Sequence, residues 1–122
     1  MYQAKFLKQH DLVEEEVIIE VNGLELVGFS LDDNHRFLPN KIYPINLEFT
    51  ILDDPEIVIL KEPQYSVERI GEGFSYLICG LVHNDSIDIG HDINIKDDCF
   101  KFENLDYKFV RMRVDRISIE FI

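Results

Sequence analysis

The densest set of metal-capable side chains in the chain is His83-Asn84-Asp85-Ser86-Ile87-Asp88-Ile89-Gly90-His91-Asp92. Two imidazoles and three carboxylates within ten residues are the ligand types that hold zinc or iron. The spacing works against that chemistry. Read as one strand, the run puts His91 in phase with Ile89 and Ile93, while Asp88 and Asp92 point to the opposite face. Ligands sent to opposite faces do not converge, so His91 is expected as a partly buried, satisfied histidine and His83 as a strand-end residue. The run also lacks the alternate oxygen ligands and terminal glutamate of an EF-hand loop. No metal and no cofactor is expected.

Asp32-Asp33-Asn34-His35-Arg36 brings acid, base and cation into one polar loop, the composition of a general acid–base site. It is also the composition of a surface turn, with Asp and Asn capping their own backbone. Ser30, Ser66, Ser75, Ser86 and Ser118 lack the G-x-S-x-G setting of an activated nucleophile. Cys79 and Cys99 sit in apolar surroundings outside any CxxC pair and are expected as reduced core cysteines. Gly71-Glu72-Gly73 is too short and too acidic to cradle phosphate and reads as a turn. Arg111 and Arg113 share one strand face, where they would grip an anion or, more simply, pair across strands with carboxylates. No catalytic set is assigned.

Carboxylates dominate the charge. The chain of 122 residues carries 24 acidic against 12 basic residues, a net charge of −12. Residues 11–33 hold eight of the acids (Asp11, Glu14, Glu15, Glu16, Glu20, Glu25, Asp32 and Asp33) and no Lys or Arg. Residues 85–98 hold five more against Lys96 alone, and the last 24 residues lean basic through Lys101, Lys108, Arg111, Arg113 and Arg116. Such a field repels phosphate, which argues against nucleic acid as a partner. No apolar run approaches the ~20 residues that span a bilayer, so no membrane partner is expected. The N-terminal ten residues lack the apolar stretch of a secretory signal, which implies a cytoplasmic address.

Three consecutive carboxylates repel one another unless a cation compensates, and a basic partner would supply it. The function expected is therefore a small acidic binding protein that blocks a basic protein partner, such as a toxin. Bacterial immunity proteins are similar in size, acidity and lack of catalytic motifs, although no motif ties the chain to them. Glu14, Glu15, Glu16, Glu20, Asp32 and Asp33 are the expected partner-binding residues. Two alternatives come from other classes. One is a small β-barrel enzyme using loop carboxylates with His35, His83 or His91. The other is a homo-oligomeric structural or accessory domain exposing a strand edge, such as the one carrying Pro44.

The elements that must position these residues are strands. Tyr43, Ile45, Leu47, Phe49 and Ile51 alternate with Pro44, Asn46, Glu48 and Thr50, the pattern of a half-buried strand. Pro44 cannot donate to a ladder, so its end is expected at an edge or bulge. Asn22-Gly23 between Val17–Val21 and Leu24–Leu31 is the strongest hairpin signal. A change of apolar phase after Leu26, beside Gly28, reads as a β-bulge. Glu56–Lys61 and Tyr65–Ile70 read as short strands. Phe74–His83, apolar on both phases, reads as a central strand. Tyr107–Val114 and Ile117–Phe121 close the chain around a tight turn at Asp115-Arg116. Ala4–Glu16, Asp33–Asn40 and Asp97–Leu105 are the least strand-like segments. The whole predicts one all-β domain over residues 1–122, a small β-barrel or two-sheet antiparallel sandwich with at most one short helix.

Overall fold

The alternation around Phe49 is realised at its centre, with Tyr43 and Ile51 at the ends only partly buried. Ile45, Leu47 and Phe49 are buried, whereas Glu48 between them is exposed. The computed structural model describes residues 1–101 and 104–122; Glu103, one of the C-terminal carboxylates, lies outside them. The described residues form β1 (Tyr2–Gln9), β2 (Glu16–Val21), β3 (Leu24–Phe29), β4 (Ile42–Thr50), β5 (Ile57–Ile59), β6 (Ser66–Arg69), β7 (Tyr76–His83), β8 (Ser86–Asp88), β9 (Asn94–Lys96), β10 (Phe109–Val114) and β11 (Arg116–Phe121). Short 3₁₀ turns at Asn34–Arg36 and Asp98–Lys101 complete them. The fold is all-β. A closed barrel, in the order β1-β2-β3-β11-β4, packs against a second sheet ordered β5-β10-β7-β8-β9, with β6 also on β7.

β10 and β11 do not form a hairpin around Asp115-Arg116. β10 pairs with β5 and β7 in the sheet, and β11 pairs with β4 and β3 in the barrel. Val110, Met112 and Val114 are buried on even positions, then Ile117, Ile119 and Phe121 on odd ones. The kink at Asp115 switches the parity, so one continuous segment points inward in both layers. Asp115 fixes the switch with its N–H on the Thr50 carbonyl (2.9 Å) and its carboxylate on the Leu52 N–H (2.7 Å).

The expected bulge at Gly28 is absent, because β2 and β3 pair without a register shift from Glu16↔Phe29 to Val21↔Leu24. The inward phase continues through Gly28 and Ser30, both buried. It merely becomes small where β11 crosses. A Cβ on Gly28 would fall on the Ile119 side chain and within 3.1 Å of the Ile117 carbonyl oxygen. The irregularity lies instead in β1, between Phe6 and Lys8. That break in phase hides a strand in a segment whose sequence reads as irregular. β4 likewise is no edge, since β1 and β11 flank it. Pro44 accepts from Ile122 N–H (3.0 Å), at the point where β11 runs out and no donor is called for.

Ile87 to Ile95 is a hairpin rather than one strand. β8 and β9 pair with Ile87 opposite Ile95, and Gly90, His91 and Asp92 turn with positive φ (86°, 56° and 57°). His91 is accordingly exposed and not part-buried. The isoleucines join residues of both layers in one core, including Ile19, Ile45 and Ile117 of the barrel with Ile78 and Met112 of the sheet. Each fully buried side chain of this size stabilises by about 1.5–3 kcal/mol. Tyr76, 3% exposed, carries a polar tie through that core, its hydroxyl accepting the Val27 N–H at 2.7 Å. Burial pushes that hydroxyl above its ordinary pKa. Among the described residues no helix is long and apolar enough to cross a membrane.

Candidate binding surface

Two loops meet at one end of the barrel, the β1–β2 connection and the β3–β4 connection. Asn34, 2% exposed, joins them. Its amide donates to the Glu14 carbonyl (2.9 Å) and the Ser30 carbonyl (3.2 Å), and its own carbonyl accepts from the Ser30 hydroxyl (2.8 Å). Ser30 N–H adds a bond to the Glu15 carbonyl at 2.8 Å. The β3–β4 loop is also plugged into the barrel mouth by Phe37, which stacks on Phe121 at 4.0 Å and meets Tyr43 at 4.9 Å. His10 shapes the other loop, its Nδ1 accepting from Leu12 N–H (3.0 Å) and Val13 N–H (3.1 Å).

The six carboxylates expected to bind a partner divide in this setting. Glu14 and Asp33 are exposed and Glu15 half-exposed, all on the two joined loops. Asp33 also caps the 3₁₀ turn by accepting from His35 N–H. Asp32 is partly engaged, with one oxygen on Phe121 N–H (3.2 Å) and the other 3.7 Å from Arg36. Glu16 is turned inward at 8% exposure and paired with Arg69 at 3.0 Å. Arg69 also donates to the Gly73 and Glu72 carbonyls, so this pair ties the barrel to the turn between β6 and β7. Glu20 stands about 13 Å further along β2, by strand rise, opposite Lys5 and Glu25. The structure thus gathers Glu14, Glu15 and Asp33, with Asp11, on one rim. It assigns Glu16 to a structural pair and leaves Glu20 apart.

The rim holds something that charge counting misses. Leu12 is 88% exposed and Leu31 82% exposed, the two highest values among the described large apolar residues, and one lies on each loop. Leu31 and Asp32 open onto a groove of about 470 Å³ along the outer faces of β4 and β11. Glu48 and Glu120 line it too, and Arg116 lies over the Phe29 ring at 3.8 Å. Asn34 and the leucines could be found in sequence only as polar-loop and turn residues, since nothing local marks which side chain is buried.

The histidines do not converge. His35 is in the 3₁₀ turn, and His91 approaches the Asn22 carbonyl at 3.3 Å. His83 lies 3.4 Å from Asp106 and tilts against Tyr107. That pair has the form of an oriented base, but none of the described hydrogen bonds brings a hydroxyl or thiol nucleophile to it. Cys79 is buried and free. Cys99 is also free, and burial, with Asp97 beside it, pushes its thiol up to about 12, far from a reactive thiolate. Among the described residues neither Arg111 nor Arg113 comes within ion-pair distance of a carboxylate. Their direct strand neighbours are Val58, Cys79 and Leu77, although Arg113 shares a surface pocket with Asp53, Asp54, Glu56 and Asp115. Among the described residues no three His, Cys, Asp or Glu side chains cluster as metal ligands.

A family model described as "Uncharacterised conserved protein UCP019853" matches residues 1–122, and the chain belongs to that family. It matches no curated protein and no solved structure.

Proposed function

We propose that the chain is a binding protein that docks the paired β1–β2 and β3–β4 loops onto a basic protein and blocks it. One observation carries the reading: two loops stapled by a buried asparagine hold exposed leucines among carboxylates on a rigid barrel end. An apolar centre with a charged rim is the anatomy of a protein interface, and most binding energy comes from such centres. Rigid presentation adds to it, since little ordering entropy is lost on docking. The carboxylates Asp11, Glu14, Glu15 and Asp33 would steer a cationic partner and fix its orientation. A bacterial toxin neutralised in the cytoplasm by this inhibitor, as an immunity protein works, is the partner type that fits.

The test begins with the chain purified from its native host and the basic protein that accompanies it. Association is then timed for wild type and for a Glu14→Gln, Glu15→Gln, Asp33→Asn variant at low and high salt. The variant should associate several-fold more slowly at low salt and show a flatter salt dependence. Leu12→Ser with Leu31→Ser should mainly speed dissociation. Equal rates and salt slopes across all of these would overturn the docking surface.

A further inference from the structure

β5 ends the second sheet, and among the described residues β10 is its single strand partner there. The register decides which of its backbone groups are free. Leu60 N–H donates to the Phe109 carbonyl at 2.8 Å, and the same register sets Val58 opposite Arg111. In an antiparallel ladder, alternate residues turn both groups to one neighbour. Val58 and Leu60 therefore face β10, and Ile57 and Ile59 turn their N–H and C=O groups away from the sheet. Val58 is 49% exposed and Ile59 54% exposed, so the edge is apolar as well as open. Natural edges of this kind are normally covered, charged or interrupted.

Charge is polarised along this edge. Asp53, Asp54 and Glu56 precede it, all exposed, with Arg113 of β10 beside them, and Lys61 then Glu62 follow it. Continuing the register from Val110↔Ile59 sets Lys108 beside Lys61. We propose that β5 pairs antiparallel with β5 of a second copy of this chain, making one sheet across a two-fold axis. Antiparallel pairing lays the acidic flank of each copy along the basic flank of the other, twice by symmetry. Parallel pairing would set like charges together.

The register follows from the same groups. With Ile57 opposite Ile59 of the second copy, both residues exchange N–H···O=C bonds and Val58 meets Val58. Lys61 then lies opposite Pro55, beside Asp54. A shift of two residues one way sets Glu56 against Glu62. A shift the other way sets Pro55, which has no N–H, against Ile59. The contact is short, below the roughly 1,200 Å² of stable interfaces, so the dimer is a weak and concentration-dependent one.

Sedimentation equilibrium on the full chain, from roughly 10 µM to 1 mM, tests this. The weight-average mass should climb from 14.4 kDa toward twice that value. Lys61→Glu should weaken association roughly tenfold, and adding Asp53→Lys with Asp54→Lys should restore it by swapping the flanks. Ile59→Pro removes an N–H that β10 does not use, and should leave a folded monomer by circular dichroism. A mass fixed at 14.4 kDa over the whole range overturns the proposal. So does a dimer that neither Lys61→Glu nor Ile59→Pro weakens. The rim on the barrel plays no part in these readouts, so they stand or fall apart from the docking function.

Discussion

Glu16 follows two carboxylates in sequence and shares the role of neither. Its side chain is 10% exposed against 30% for Arg69, and the pair spans the seam between barrel and sheet. Removing one partner of a desolvated pair costs more than removing the charge from both, because the remaining ion stays buried with its attraction lost. Arg69→Met should therefore destabilise by about 2–4 kcal/mol, discounted from the fully buried case because the arginine is partly wetted and His10 Nε2 stays 3.9 Å from Glu16. Adding Glu16→Gln to that variant should recover part of the loss. Urea unfolding of the single and double variants measures both, and a double variant no more stable than Arg69→Met would remove the ion pair from this account. Burial of Glu16 is illegible in Glu14-Glu15-Glu16, since the choice among three neighbours depends on where a residue 53 positions away arrives. Asn34 is hidden for a similar reason. Asp32-Asp33-Asn34-His35-Arg36 reads as a solvated turn, and only Phe37 docking in the barrel mouth carries Asn34 inside.

Strands whose apolar positions keep one period were legible as elements, β4 above all, and so was the Asn22-Gly23 hairpin with positive φ at both residues. What period alone conceals is a turn that preserves parity. Three residues separate Ile89 from Ile93, so the isoleucines stay in step through the β8–β9 turn, and the hairpin looks like one long strand. Gly90 followed by Asp92 was the available signal. The passage of β10 into β11 is the converse: parity breaks at Asp115, which resembles a turn, yet the chain changes layer. Contacts between layers are invisible to any local pattern, and Tyr76 is the clearest of them. Tyr76→Phe keeps the ring but leaves the Val27 N–H without its partner inside the core. Such an orphaned donor costs about 1–3 kcal/mol. The variant should unfold at correspondingly lower urea with an unchanged slope. A loss below ~0.5 kcal/mol would mean that another acceptor reaches Val27.

At the scale of the whole molecule, a net charge of −12 on 122 residues sets the balance between solubility, partner steering and self-repulsion. Some carboxylates are compensated, as Glu16 is by Arg69 and Asp85 by Lys96 at 3.3 Å. Others also meet their own kind: Glu20 lies directly opposite Glu25 on one side and Lys5 on the other, and the like-charge contact destabilises by about 0.2–1 kcal/mol before Lys5 offsets it. The rim acids Asp11, Glu14, Glu15 and Asp33 add more of the same repulsion. Salt relieves exposed repulsion first, because the Debye length falls from ~30 Å at 0.01 M to ~3 Å at 1 M, while the shielded Glu16–Arg69 pair is screened much less. Stability in urea should therefore rise with sodium chloride, by on the order of 1 kcal/mol between about 0.01 and 0.5 M. A Glu14→Gln, Glu15→Gln variant should be more stable than wild type at low salt and converge with it at high salt. Glu16→Gln should be less stable at both, since it gives up attraction rather than repulsion. If stability instead stays flat or falls as salt is added, the surface carboxylates are already compensated within the fold. The rim would then hold no unspent negative field with which to draw in a cationic partner.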